Sequence, residues 1–221
     1  MPPVFVNFFI FLFQNSFQKE IEFNGGTIVP YATILSTLPL PELIKIIPDT
    51  PDDVRKAVGK LRTNSMFVVN IGINKEKLTD KNWIYYLEKE YSFIRVSFPS
   101  NQSDYVAPPG TSSIMAEIAY GNDNPLPTSR DKMADRVVNE LIAAKVLSAT
   151  DEIIYLDTVD VKYGYVIFDK ERRPAIKKVH DYLKSKGIIP CGRYGLWAYL
   201  WSDEAILSGK KAAEKLEYIL K

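Results

Sequence analysis

The sequence has almost none of the residues on which histidine and cysteine chemistry depends. Its 221 residues include one histidine, His180, and one cysteine, Cys191. A single cysteine excludes an internal disulfide, and this pair is too small for a structural zinc site of the usual Cys/His kind. A histidine-based hydrolase would have to work through His180 alone. Most metalloenzymes, thiol redox proteins and histidine-based hydrolases are therefore excluded, and we expect no bound metal.

The chain also lacks an excess of either charge. Lys and Arg total 28, and Asp and Glu total 27, which gives a formal net charge of +1 at pH 7. Without a basic excess or a long basic run, nucleic acid is not expected as a partner.

A long apolar run is missing as well. The longest one, Val4–Phe13 (VFVNFFIFLF), is much shorter than the roughly 20 apolar residues that cross a bilayer. No basic stretch precedes it and no small-residue cleavage site follows it, as a signal peptide would require. Its β-rich composition predicts a buried strand in a cytoplasmic protein. The alternative is a membrane-surface anchor for an enzyme that acts on a lipophilic substrate.

The remaining pattern predicts an α+β protein with a mostly antiparallel sheet. Asn24-Gly25-Gly26 between two β-rich stretches indicates a hairpin. Strands are predicted at Ala32–Ser36, Ser65–Ile73, Trp83–Leu87, Phe93–Phe98, Ser113–Tyr120, Ile153–Val161, Tyr165–Phe168 and Ile188–Cys191. Helices are predicted at Glu42–Ile47, Asp52–Leu61, Ser129–Leu147, Pro174–Lys186 and Asp203–Leu220. Between the strands, Pro99–Thr111 is expected to form a long functional or covering loop.

The stretch Gly192–Ile206 (GRYGLWAYLWSDEAI) carries most of the functional information. It predicts a loop rich in glycine and aromatic residues, followed by a helix with Ser202 as its N-cap. The free N–H groups and positive dipole end of a helix can receive an anion or a polarised carbonyl oxygen. Arg193 adds a forked cation beside them. On physical grounds alone, a solvated loop with aromatic anchors in the core explains the stretch equally well.

This stretch resembles the C-terminal flavin-contacting motif of UDP-galactopyranose mutases and of related FAD-dependent amine-oxidase-like and protoporphyrinogen-oxidase-like proteins. The residues that match the motif in register are Gly192-Arg193, Tyr199, Asp203, Ala205 and Ile206. Three further segments resemble the same family: Ile34–Ile44, Phe93–Ser103 and the helical Leu207–Glu214. Tyr199 and Asp203 favour the mutase branch, whereas Leu207–Glu214 favours the amine-oxidase branch.

The resemblance implies an FAD cofactor and a set of residues around it. The implied cofactor contacts are Gly192, Arg193, Asp203 and the backbone N–H groups of Glu204 and Ala205. Arg193 would lie near the isoalloxazine ring, and Asp203 would hydrogen-bond the ribityl chain or the flavin edge. The alternative is that these two side chains pair with each other and with backbone.

Three residues are candidates for binding a small-molecule substrate. Tyr199 matches a tyrosine that helps hold the substrate diphosphate in the mutases, although packing against a neighbouring tryptophan is an equal alternative. Arg95 and Tyr165 could face a ligand cavity. For Arg95, the favoured alternative is an ion pair with Glu88, Glu90 or Asp104, because arginine is almost never fully buried unless paired. For Tyr165, it is core or edge packing.

No catalytic residue can be assigned from the sequence. His180 lies among charged residues of a predicted helix, which indicates a solvated face and no catalytic role. Cys191 ends an apolar strand and is expected to be a small core residue.

The motif that binds the FAD pyrophosphate in this family, Gly-x-Gly-x-x-Gly, is missing from the sequence. We therefore expect the C-terminal half to two-thirds of a family member, inactive alone. Residues 1–47 and 188–221 would form the incomplete edge of an FAD-binding α/β domain, and residues 48–187 the substrate domain. Either a separate chain carries the Gly-rich half, or the sequence is a truncated or split gene product. The alternative is a non-catalytic remnant or binding subunit that binds no flavin.

Overall fold

A computed structural model describes residues 11–12, 19–23 and 25–220, and divides the chain into two compact units. Unit 1 contains Met1–Arg62 and Val166–Lys221, and unit 2 contains Thr63–Tyr165. The sequence analysis placed the boundaries of its two predicted domains near residues 47 and 187. The cofactor and substrate roles of the two parts stay predictions.

Helices and strands are mixed along the chain. The described strands are β1 (Phe11–Leu12), β2 (Glu20–Phe23), β3 (Ile28–Pro30), β4 (Ile34–Ser36), β5 (Ser65–Ile73), β6 (Trp83–Tyr85), β7 (Arg95–Ser97), β8 (Ser112–Tyr120), β9 (Ile153–Val161) and β10 (Ile188–Pro190). The described helices are α1 (Leu40–Ile46), α2 (Asp52–Val58), α3 (Arg130–Ala143), α4 (Arg172–Ser185), α5 (Gly192–Gly195) and α6 (Ser202–Leu220). The predicted α+β class with a mostly antiparallel sheet is confirmed.

Unit 1 contains two small sheets. The predicted hairpin is present as the antiparallel pair of β2 and β3, and β1 pairs with the other side of β2. The second sheet is a parallel pair in which Ile34–Ser36 of β4 lies in register with Ile188–Pro190 of β10. Segments that are distant in sequence therefore share one sheet.

The helices of unit 1 bury one face each. α1 and α2 begin directly after Pro39 and Pro51, where the fixed φ of proline suits entry into a helix. α2 packs on α4, and Arg172–Ser185 buries its apolar stripe in this packing. The buried apolar residues of these helices are Leu40, Leu43, Ile44, Val54, Ala57, Ala175, Val179 and Leu183.

Unit 2 is built on a five-stranded antiparallel sheet in the order β6-β7-β8-β5-β9. β5 alternates between buried and partly buried residues, as expected for a strand whose faces differ. Phe67, Val69 and Ile71 form a core with the buried face of α3, including Met133 and Val137. The helix predicted at Ser129–Leu147 is thus present as α3, and its buried face covers the sheet.

Two of the predicted strands, Tyr165–Phe168 and Val4–Phe13, are not found as strands over their predicted lengths in the described residues. Tyr165–Phe168 is not a strand, and only Val166 makes an isolated bridge. The backbone of Tyr165 instead bonds Asn64, whose side-chain Oδ1 accepts from the Tyr165 N–H at 2.6 Å. Most of Val4–Phe13 lies outside the described residues, and its end is β1. Among the described helices, none combines the length and the apolar character that crossing a membrane requires.

Candidate functional site

The predicted site residues are divided between the two units. Unit 1 contains Gly192, Arg193, Tyr199, Asp203, Glu204 and Ala205 on α5, α6 and the segment between them. Unit 2 contains Arg95 on β7 and Tyr165 at its C-terminal boundary.

The chain turns from β10 into α5 at Gly192. The Cys191 N–H donates to the carbonyl oxygen of Ser36 at 2.9 Å, which extends the parallel pairing by one residue. Gly192 then adopts a φ of +73°, and its N–H donates to Ser208 Oγ at 2.8 Å. Ser208 is in α6, so this bond ties the start of α5 to that helix. The predicted loop therefore begins with one helical turn.

Close packing accompanies this turn. A Cβ atom at Gly195 would lie 3.0 Å from the Ser36 carbonyl oxygen, so α5 approaches the backbone of β4 where only glycine has room. Cys191 is buried, as predicted, and burial raises the pKa of its thiol.

Trp197 anchors the segment that follows α5. Its side chain is fully buried, and its backbone has a φ of +48°, which is uncommon for a bulky residue. Arg172 donates two hydrogen bonds to the Trp197 carbonyl oxygen, from Nε at 2.8 Å and from Nη2. The guanidinium also lies 4.1 Å from the centre of the Phe168 ring. Arg172 therefore holds this left-handed residue in place from α4. The sequence analysis did not identify it.

Arg193 lies between the aromatic residues and the start of α6. Its Nη1 donates to the Leu200 carbonyl oxygen at 3.2 Å. Its guanidinium carbon is 4.6 Å from the Tyr199 ring centre and 5.9 Å from that of Tyr194. The Tyr199 side chain is 45% exposed. The structure thus brings together two of the predicted residues, one from the cofactor set and one from the substrate set.

The N-terminus of α6 is capped differently from the sequence prediction. Trp201, not Ser202, is the N-cap, because the Trp201 carbonyl oxygen accepts the first helical bond, from the Ala205 N–H at 2.9 Å. The Trp201 N–H in turn donates to Glu204 Oε2 at 2.8 Å, one half of a capping box. The side chain of Glu204 therefore caps the N-terminus of α6.

This capping leaves a short row of first-turn donors. An α-helix has no internal partners for its first N–H groups, which here belong to Ser202, Asp203 and Glu204. All three residues are exposed, and so is Trp201 beside them. The helix start is therefore an open surface with a positive dipole end and with Arg193 in the preceding segment.

The single histidine is not on a solvated face, in contrast to the sequence prediction. His180 packs toward α5, and its Nε2–H donates to the Gly195 carbonyl oxygen at 3.1 Å. Burial lowers the pKa of His180, an effect opposed by the hydrogen bond to Gly195. Its sequence neighbours are charged because α4 is amphipathic, and the histidine lies at the border of the buried stripe.

In unit 2, Arg95 is paired across the sheet. Its Nη2 lies 2.5 Å from Glu117 Oε1, and the Glu117 side chain is buried. The hydrogen bond to Glu117 raises the pKa of Arg95 further above its ordinary value. The predicted alternative, an ion pair, is present with a different partner, because β7 and β8 place these two residues directly opposite each other.

Tyr85 and Tyr165 complete this group. Tyr85 lies opposite Arg95 in the β6–β7 register, with its ring centre 5.9 Å from the guanidinium. Tyr165 is near enough to contribute to the raised pKa of Arg95. Tyr85 is therefore the aromatic residue that the structure places beside Arg95.

Unit 2 also contains a cavity of about 470 Å³ that the sequence did not indicate, apart from the Pro99–Thr111 loop that covers part of it. Neither Arg95 nor Tyr165 lines it. Its wall includes Asn70, Tyr155 and Ser112, and the Ser112 Oγ is buried without a hydrogen-bond partner among the described residues. Within the same part of the chain, no group of acidic, histidine or cysteine side chains is arranged to hold a metal ion.

Solved structures share this fold. The chain is similar to reduced UDP-galactopyranose mutase, with 25% identity and a TM-score of 0.79 over 86% of this chain and 41% of that one. A putative protoporphyrinogen oxidase from Exiguobacterium sp. 255-15 is 16% identical, with a TM-score of 0.68 over 90% and 44%. A CLA-producing fatty acid isomerase from P. acnes is 11% identical, with a TM-score of 0.63 over 89% and 44%. No protein-family model matches the sequence.

These neighbours have FAD-dependent amine-oxidase-like folds, so the family resemblance proposed from the sequence is confirmed for the fold. The chain spans less than half the length of each of them, from 41% to 44%. The similarity is therefore to one part of a larger protein.

Gly192 and Gly209 should respond oppositely to substitution by alanine. Gly192→Ala forces a side chain into the left-handed region and should lower the free energy of unfolding by about 1–2 kcal/mol. Gly209 lies inside α6 with no atom near its missing Cβ, so Gly209→Ala should raise it by about 1 kcal/mol. Urea titration measures both. If both variants changed the free energy of unfolding by the same amount and in the same direction, Gly192 would not need its left-handed conformation.

Removing the Arg172 guanidinium should weaken unit 1. Arg172→Met leaves the buried Trp197 carbonyl without its donors, at a cost of about 2 kcal/mol in the free energy of unfolding. Arg173→Met is the matched control, since Arg173 is exposed on the same helix turn. The bond between Arg172 and Trp197 is unimportant if both variants unfold at the same urea concentration.

His180 should make stability depend on pH. Its pKa is lowered in the folded chain, so the unfolded chain takes up the proton first as the pH falls through about 6.5. The free energy of unfolding should therefore decrease below that pH. His180→Gln keeps a donor for Gly195 and should remove this step, because the sequence contains no other histidine. An unchanged pH profile in His180→Gln would show that another group causes it.

Proposed function

We propose that this chain is the substrate-binding and flavin-contacting portion of an FAD-dependent oxidoreductase or nucleotide-sugar mutase-like protein of the cytoplasm. The observation that carries the proposal is the start of α6, where the matched residues of Gly192–Ala205 lie together in unit 1. The similarity to reduced UDP-galactopyranose mutase at 25% identity supports it.

The residues present fit the ring end of FAD. Arg193 supplies a partly buried cation, which lies beside the exposed Tyr199 ring, and the exposed first turn of α6 supplies open N–H donors. Such donors suit the pyrimidine edge of a flavin, where negative charge accumulates on reduction. The dinucleotide end of FAD requires a Gly-rich turn before a helix, and the sequence has no Gly-x-Gly-x-x-Gly.

The role of this chain in the reaction would be to position the flavin and to balance its charge. FAD, when bound, supplies the hydride or nucleophilic chemistry. The backbone N–H groups of Ser202, Asp203 and Glu204 would orient the flavin edge, and Arg193 would balance the charge that develops there. Arg172 would preserve this arrangement, because it fixes the carbonyl of Trp197 four residues after Arg193.

Each unit has its own candidate substrate contacts. In unit 1, Tyr199 offers an exposed hydroxyl and ring next to Arg193. In unit 2, Arg95 and Tyr165 belong to the polar group around Glu117. Because Glu117 neutralises Arg95, this group is suited to hydroxyl and amide groups of a small molecule more than to a free anion.

The remainder of the site would come from a polypeptide with the Gly-rich dinucleotide-binding half. The 41% coverage of the mutase chain supports this division. We propose that the chain alone is inactive for this reason.

Comparing riboflavin with FAD tests the proposal directly. If only ring contacts are present, the chain alone should bind both weakly and with similar dissociation constants, since the ADP part of FAD finds no partner. Arg193→Met should weaken both equally, by about tenfold, through the loss of a charge-assisted contact. Flavin fluorescence titration measures these constants, and Arg136→Met on α3 of unit 2 is the matched control.

Two results would contradict the proposal. FAD binding far tighter than riboflavin binding would mean that this chain itself holds the dinucleotide. Binding of neither flavin at millimolar concentration would favour the alternative, a remnant or binding subunit without flavin. A visible flavin band that survives desalting would distinguish the first result from the second.

A further inference from the structure

Strand β9 is exposed along its whole length. All nine residues of Ile153–Val161 are exposed, whereas the neighbouring β5 is buried at every core-facing position. Within the described residues, β9 pairs only with β5 and ends the order of the sheet. Its second edge therefore presents a row of backbone N–H and C=O groups.

The exposed side chains of β9 are mostly apolar. Six of them are large hydrophobic groups on both faces of the strand: Ile153, Ile154, Tyr155, Leu156, Val159 and Val161. Natural edge strands are usually short, charged, bulged or covered, because a long apolar edge is a template for another strand. β9 is nine residues long and has no lysine, arginine or proline. Its pairing with β5 is irregular only near Ile154, and its two carboxylates lie in the second half of the strand.

Two carboxylates define the chemistry of a matching strand. Asp160 is already paired with Arg130 at 2.6 Å. Asp157 is exposed, lies opposite Asn70 of β5, and has no ion-pair partner among the described residues. A strand added to this edge would therefore gain from a cation opposite Asp157.

The same charge disfavours a second copy of this chain as the occupant. If two β9 strands paired antiparallel about their centres, Asp157 would face its own copy across the new ladder. Like charges directly opposite each other destabilise a sheet. A different polypeptide carries no such penalty.

The length of the structural neighbours indicates where that polypeptide belongs. The chain accounts for 41% of the mutase chain and 44% of the oxidase chain, while most of this chain is matched in both. The larger part of each neighbour thus has no counterpart in this sequence. An apolar edge is what such a division leaves on the smaller part.

We propose that β9 is a docking edge for an antiparallel strand with alternating apolar residues and a basic residue opposite Asp157. The strand belongs to the polypeptide that corresponds to the uncovered part of these neighbours. Main-chain hydrogen bonds supply the affinity, and Asp157 selects the partner and its register. The edge lies in unit 2 and requires no flavin, so the proposal does not rest on the cofactor assignment.

The probe is a capped nine-residue peptide of alternating threonine and valine with lysine at its centre. A second peptide with aspartate at the centre is its matched control. The whole chain is titrated with each, and NMR hydrogen exchange measures the protection of β9 amides. We expect the lysine peptide to protect β9 and to bind threefold to tenfold more tightly than the aspartate peptide.

Charge reversal on the chain makes the test specific. In Asp157→Lys, the preference should reverse in favour of the aspartate peptide. Asp104→Lys changes the same charge on an exposed loop outside β9 and should keep the original preference. Thermal unfolding of both variants verifies that they fold.

Three outcomes would overturn the proposal. The first is a lack of protection in β9 at millimolar peptide. The second is protection confined to other strands. The third is an unchanged peptide preference in folded Asp157→Lys, which would mean that Asp157 does not select the partner. Riboflavin binding is measured separately, so either proposal can fail while the other stands.

Discussion

The parallel pairing of β4 with β10 is the constraint on which the candidate flavin contacts depend. It aligns Ile34–Ser36 with Ile188–Pro190 and continues through the bond from Cys191 to Ser36. The chain must then turn at Gly192 and pass close to β4 at Gly195. The position of α5, and through Ser208 that of α6, follows from this pairing.

Side chains of α4 fix the backbone of the segment that follows β10. Arg172 donates to the carbonyl of Trp197, and His180 donates to the carbonyl of Gly195. Both acceptors are backbone oxygens of the segment that contains Arg193. Buried carbonyl groups need donors, and here two titratable side chains provide them. The segment that contains Arg193 is thus held by α4, a helix that has no proposed contact with ligand.

In unit 2, one face of the sheet is covered by a helix, whereas the edge strand β9 is uncovered among the described residues. One face of its sheet is closed by α3 around Met133 and Val137, and the opposite face carries the paired Arg95 and Glu117. The β9 edge is open and apolar. The apolar core on one face of the sheet is closed, while the β9 edge leaves its backbone groups open to pairing.

Local rules predicted most of the elements. The hairpin before Pro30, the strands β5 and β9, and the apolar face of α3 all follow from turn residues or from periodicity within a few residues. The strand predicted at Tyr165–Phe168 was wrong, because the pairing of this segment is limited to an isolated bridge at Val166, and the Tyr165 N–H bonds the side chain of Asn64.

The sequence by itself determined the α+β class, most of the helix and strand positions, and the family likeness of Gly192–Ile206. Only the tertiary structure decided that Arg95 pairs with Glu117 and that Arg172 holds Trp197. The physical reason is the separation in sequence between the interacting residues. Turn propensity and periodicity act between near neighbours, whereas strand register and buried polar pairing join residues whose proximity exists only once the chain has folded.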